Sequence, residues 1–99
     1  MDADVLLADA KSDTVGKDVT IRMIGSQIPP THMSIQVAIT GSAKVQIQGR
    51  LHRNAPWADI GQAHTQSTLT HIHPIGALRA VSSETAPNSS VSVWAAWGT

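Results

Sequence analysis

Apolar and polar side chains alternate along most of the chain, and this period of two constrains the fold more than any other feature. Successive side chains of a strand point to opposite faces, so the pattern predicts half-buried strands. No segment sustains a helical period, which excludes a parallel sheet built with crossover helices. The alternating apolar positions are Val19, Ile21 and Met23, then Ile35, Val37 and Ile39, then Val45, Ile47 and Leu51.

Four further segments have strand character and are bounded by Gly, Pro, Asn or Ser clusters such as Pro29-Pro30 and Asn54-Ala55-Pro56. They cover residues 57–61, 68–72, 78–82 and 90–97. About seven short strands at this spacing are typical of an all-β fold. We therefore predict an antiparallel β-sandwich or small barrel over residues 19–99.

The strands on either side of Gly41 predict a hairpin with an odd loop, Thr40–Ser42. A two-residue Gly41-Ser42 turn would set Ile39 across from Lys44 and mix the two faces. The odd loop keeps the apolar residues together, pairing Ile35 with Ile47, Val37 with Val45 and Ile39 with Ala43. It also predicts an uncharged outward row, exposed to solvent or to a partner, formed by Gln36, Gln46 and Gln48.

Residues 1–18 differ in composition from the rest, because they hold five of the seven acids and only two lysines. Their apolar stretch is too short to form a stable helix on its own. We interpret residues 1–18 as an N-terminal arm. It is either a frayed terminus or a segment that docks Val5, Leu6 and Leu7 on a neighbouring subunit.

A chain of 99 residues builds one small core, which benefits from a metal or a partner chain. The absence of cysteine excludes disulfides, thiolate zinc sites and thiol catalysis. That leaves the histidines or self-association into a homo-oligomer as sources of further stability. No apolar run is long enough for a membrane helix, and zero net charge argues against a nucleic-acid partner.

The histidines are the remaining candidates for chemistry. His71 and His73 are two residues apart and would lie on one face of a strand. A third ligand could come from His52, His64 or His32. No zinc-binding or nucleophile motif accompanies them, and outside the arm only Asp59 and Glu84 carry carboxylates. We predict no enzymatic activity, no cofactor and no committed metal site.

Trp94 and Trp97 are separated by an odd number of positions, so a regular last strand places them on opposite faces. Trp97 shares the face of Val91, Val93 and Ala95 and is expected in the core. Trp94 is expected on the surface, where tryptophan is enriched at interface hot spots. It is a candidate partner contact or, like Trp57, a platform for a sugar ring.

The second half of the chain resembles small β-sandwich modules in virion proteins of tailed bacteriophages. The resemblance covers roughly residues 43–98 and rests on Val45–Leu51, Trp57–Gly61, Leu78–Val81 and the alternating run Val91–Gly98. It implies a capsid decoration or cement protein on the outside of the virion, assembled as a trimer or a dimer and bound to the major capsid protein or another virion protein. The alternative is a glycan- or receptor-binding module on a virion or cell surface.

Overall fold

The computed structural model describes residues 2–20, 32–73 and 75–98, which form nine strands and no helix. This confirms the all-β antiparallel prediction. The predicted alternation at Ile21 and Met23 and the Pro29-Pro30 break lie outside the described residues. The strands are β1 (Asp2–Ala10), β2 (Thr14–Val15), β3 (Val19–Thr20), β4 (His32–Thr40), β5 (Lys44–Arg50), β6 (Ala58–Asp59), β7 (Thr68–Ile72), β8 (Ala77–Ser83) and β9 (Ser90–Gly98).

Two antiparallel sheets form the sandwich, which settles the choice between sandwich and barrel. Sheet A has the strand order β1-β9-β4-β7, and sheet B has the order β2-β8-β5-β6 with β3 also paired to β8. The inward residues of the two sheets share one core, and burial of such side chains is the main stabilising contribution. Its fully buried members include Leu6, Met33, Ile35, Val37, Val45, Ile47, Leu78, Val91 and Val93.

The first strand corrects the prediction of an arm. β1 pairs with β9 along most of its length, from Asp2 opposite Trp97 to Ala10 opposite Val91. Leu6 and Leu7 are buried in the chain's own core at 1% and 4% exposure, so they are not free to dock on a neighbour. The arm interpretation is wrong because the short apolar stretch is stabilised by strand pairing, which its lack of helical length did not reveal.

The predicted hairpin is also wrong. β4 belongs to sheet A and β5 to sheet B, so the residues between them cross the sandwich. The parity argument still assigned the faces correctly, since Ile35, Val37, Val45 and Ile47 all point into the core. Their side chains meet between sheets rather than across one hairpin. The sequence pattern identifies the buried face of each strand but leaves its partner open.

The inner face of β5 ends earlier than predicted. Gly49 is buried where the alternation requires a core residue, and a Cβ there would approach the Ile60 Cδ1 to 2.7 Å. The strand ends at Arg50, and Leu51 is 80% exposed in the following bend. The prediction that Leu51 continues the core face is therefore wrong.

Candidate functional site

The outer face of sheet A carries a row of four side chains that crosses all of its strands. Trp94 on β9 lies opposite Val5 on β1 and opposite Gln36 on β4, and Gln36 in turn lies opposite Leu69 on β7. Trp94 is 40% exposed and Leu69 is 63% exposed. Large apolar side chains thus project from a face on which they are exposed in the described structure.

The residues around this row are mostly small. One flanking row runs from Ala3 through Ala96 and Ser34 to His71, and Ala38 lies opposite Ser92 on the other side. None of these residues is Asp, Glu, Lys or Arg. We call this surface the Trp94 face, and its ten residues are Ala3, Val5, Ser34, Gln36, Ala38, Leu69, His71, Ser92, Trp94 and Ala96.

The polar side chains of the Trp94 face are hydroxyl, amide and imidazole groups, which form hydrogen bonds. Ser34 Oγ and His71 Nδ1 lie 2.8 Å apart, so these two side chains satisfy each other. Ser92 Oγ accepts the Asp9 backbone N–H at 3.0 Å, at the edge of the face. Because the face contains no Asp, Glu, Lys or Arg, its burial does not strip water from a side chain of these types, which would be costly.

The structure brings together three of the seven residues predicted at a partner interface: Val5, Gln36 and Trp94. Leu6 and Leu7 lie in the core instead. The remaining two glutamines belong to β5 and lie on the outer face of sheet B, so the predicted uncharged row does not exist. The physical reason is the crossing between β4 and β5, which sends the two halves of that row to opposite sides of the sandwich.

Leu69 is the residue that sequence reasoning missed. The strand Thr68–Ile72 was predicted with the bounds that the structure gives it. Within that strand, Thr68, Thr70 and Ile72 face inward, which leaves Leu69 and His71 on the outer face. The alternation of side chains along this strand is enough to predict that Leu69 faces outward, which is unusual for a leucine.

The glutamines of β5 take part in a polar network on sheet B. Gln48 Nε2 donates to Asp59 Oδ1 at 3.0 Å, and Arg79 Nε donates to Gln48 Oε1 at 2.8 Å. Gln46 Nε2 donates to backbone carbonyls, the nearest being that of Ile47 at 3.0 Å. These side chains are committed to hydrogen bonds within the chain.

Trp57 belongs to the same side of the sandwich. The guanidinium carbons of Arg50 and Arg79 lie 4.4 and 4.5 Å from the centre of its ring, within the range of cation–π attraction. The indole therefore packs the loop after β5 against sheet B. This use of the ring leaves Trp94 as the better-exposed platform of the two.

The candidate histidines are divided between two places in the described structure. His71 and His73, together with His32, line a cavity of about 380 Å³ at one end of sheet A. His52 lies elsewhere, in the turn after β5, where its Nδ1 accepts the Asn54 backbone N–H at 3.1 Å. Over residues 2–20, 32–73 and 75–98, no group of three His, Asp or Glu side chains is arranged to hold a metal ion.

Comparison with known proteins adds no relative. A scan of protein-family models, a search of curated proteins and a search of solved structures each find no match. Within the described part of the chain, no helix has the length and apolarity to cross a membrane.

Proposed function

We propose that this chain is a structural virion protein, a capsid decoration or cement protein, that docks on a shell protein through the Trp94 face. The observation that carries the proposal is the uncharged row of Val5, Trp94, Gln36 and Leu69 across sheet A. The sequence resemblance to phage virion modules supports a role in the virion, and the row is the surface that we expect to contact the shell protein.

A folded protein surface fits this row better than a nucleic acid or a sugar does. Charged residues are depleted at the centre of protein interfaces, where tryptophan is enriched. A nucleic acid would need Lys or Arg side chains to contact its phosphates, and the Trp94 face has neither. A sugar needs polar partners around the indole, but one of the two side chains opposite Trp94 is the apolar Val5.

The size of the face suits a cement that acts in many copies. Strands of nine residues are about 30 Å long and four strands span about 19 Å, which gives on the order of 550 Å². A stable interface buries roughly 800 Å² on each partner, so one docked copy would bind weakly. On a repeating shell, multivalent attachment compensates for weak single contacts.

The test is to recover virions from a host culture in which the chain carries an affinity tag. When the particles are sedimented through a gradient, we expect many copies of the chain to sediment with them. The Trp94→Ala variant should remain largely at the top of the gradient. Val15→Ala, at an exposed apolar residue on sheet B, is the matched control and should sediment like the unaltered chain. Particles that lack the unaltered chain would overturn the proposal, and glycan binding lost in Trp94→Ala would favour the receptor-binding alternative.

A further inference from the structure

One edge of β7 is not paired with any strand in the described part of the chain. β7 pairs only with β4, so no described strand occupies its other edge, which we call the open edge of β7. Its five residues keep one continuous register with β4, from Met33 opposite Ile72 to Val37 opposite Thr68. The strand contains no Asp, Glu, Lys or Arg, no proline and no bulge, and these are the features by which proteins block edge pairing.

The hydrogen bonds beside β7 show which of its backbone groups face outward. Ser67 Oγ bonds both the N–H of Ile39, at 2.9 Å, and its C=O, at 3.4 Å, so the peptide groups of Ile39 point toward β7. Peptide groups alternate along a strand, so those of Ile35 and Val37 point the same way and pair with Thr70 and Thr68. The N–H and C=O groups of Leu69 and His71 therefore point to the open edge.

The other edges are short or blocked. β2, β3 and β6 have two residues each. β1 is longer, but its register with β9 shifts twice. In addition, Asp4 Oδ1 accepts the neighbouring Val5 N–H at 2.7 Å, and Lys17 Nζ donates to the same oxygen at 3.0 Å. An incoming strand would have to displace these bonds on β1, whereas no hydrogen bond of this kind occupies the edge of β7 among residues 2–20, 32–73 and 75–98.

We propose that β7 pairs antiparallel with β7 of a second copy of this chain, about a two-fold axis at Thr70. In this register Leu69 lies opposite His71 of the second copy, and the two exchange both backbone hydrogen bonds. The symmetry repeats the pair, which gives four backbone hydrogen bonds. The two sheets A become one continuous sheet of eight strands.

A second copy fits the edge because identical strands in this register meet without conflict. No charge faces a like charge, and outward residues lie opposite outward ones, so the exposed Leu69 gains a cross-strand neighbour. A cavity of about 370 Å³ beside the edge, with Ile47, Ile60 and Ile72 in its lining, comes to lie at the junction of the two copies. The pairing also joins two Trp94 faces into one surface.

The test uses the fact that the chain has no cysteine. Residues directly opposite at a non-hydrogen-bonded position are about 4.5 Å apart at Cα, within disulfide range. Thr70→Cys should therefore form a covalent dimer without reductant. Ala3→Cys on β1 and Ala96→Cys on the Trp94 face are the controls and should stay monomeric on a denaturing gel.

Sedimentation velocity of the unaltered chain should show a dimer across a wide range of concentrations. Leu69→Lys should convert it to monomer with an unchanged circular dichroism spectrum, because the side chain is exposed. Trp94→Ala should remain dimeric even though it no longer docks on the shell. A loss of docking and a loss of dimerisation can therefore be distinguished. A monomeric or trimeric unaltered chain, or cross-linking of Ala3→Cys in place of Thr70→Cys, would overturn the inference.

Discussion

Leu7 lies directly opposite Val93 in the β1–β9 pair, and both side chains are buried in the core. The N-terminal strand is therefore part of the cooperative fold. We predict that Leu7→Ala lowers the free energy of unfolding by about 2–5 kcal/mol, because it removes buried methyl groups and leaves a cavity. Urea denaturation followed by tryptophan fluorescence measures the change.

The matched control for Leu7 is Leu69, which is exposed on the outer face of sheet A. Leu69→Ala should change the free energy of unfolding of the monomer by less than about 0.5 kcal/mol, as is usual for surface positions. Equal effects of the two substitutions would contradict the placement of β1 in the core.

For β4, β5 and β9, the sequence was sufficient to predict both the strand and the direction of its side chains, because both depend on local alternation. Ser90–Gly98 shows this best, with Val91, Val93 and Ala95 buried and Trp94 exposed as predicted. Trp97 is partly buried and packs against the core, also as predicted.

The pairing of strands could not be predicted in the same way. A strand with alternating apolar residues buries one face in the core whichever of the two sheets it belongs to. The segment Thr40–Ser42 illustrates the limit, since an apparent hairpin loop carries the chain from sheet A to sheet B. The Trp94 face depends on such long-range pairing and therefore emerged only from the structure. β1 was missed for the same reason, as its partner β9 lies at the far end of the chain.

A second prediction concerns Gly16, whose backbone N–H donates to the Ala80 carbonyl at 2.8 Å. A Cβ at this position would collide with the carbonyl oxygen of Leu6 and would lie 3.0 Å from that of Ala80. Both obstacles are backbone atoms, which do not move aside cheaply. We predict that Gly16→Ala lowers the melting temperature more than Gly61→Ala does.

Gly61 is a useful comparison because its φ of +67° strains any L residue, while a Cβ there meets open space. The cost of Gly61→Ala should be limited to that strain, about 1–2 kcal/mol. Calorimetry of both variants measures the difference, and a milder effect at Gly16 would show that β2 and β1 separate easily.

Ser82 supports a third prediction, because its buried hydroxyl connects sheet B to the segment before β2. Its Oγ accepts the Thr14 N–H at 2.9 Å and lies 3.2 Å from the Ser12 carbonyl oxygen. Ser82→Ala leaves the Thr14 N–H without this partner, at a cost of about 1–3 kcal/mol. Hydrogen exchange at Thr14 should accelerate, whereas Ser83→Ala, at a neighbouring half-buried site, should leave it unchanged.

The last prediction concerns Asp4, which lies at the open edge of β1. The hydrogen bond from the Lys17 ammonium is the main cause that lowers the pKa of the Asp4 carboxyl below its ordinary value, and the Val5 N–H adds to the effect. A carboxyl whose pKa is lower in the folded state stabilises that state above its ordinary pKa. This contribution is lost as the pH falls through the lowered value.

We predict that Lys17→Met raises the pKa of Asp4 toward its ordinary value, because the main stabilising donor is removed. Titration of the Asp4 carboxyl carbon by NMR measures the change directly. The control is Asp13, whose pKa is lowered chiefly by the Thr85 backbone N–H and should not move in this variant. In the unaltered chain, the free energy of unfolding should fall as the pH drops below the ordinary pKa range of aspartate. The decrease should be smaller in Asp4→Asn, which lacks the titrating carboxyl. An Asp4 titration that is unaffected by Lys17→Met would show that the ion pair does not form in solution, and the edge of β1 would then be less protected than the geometry indicates.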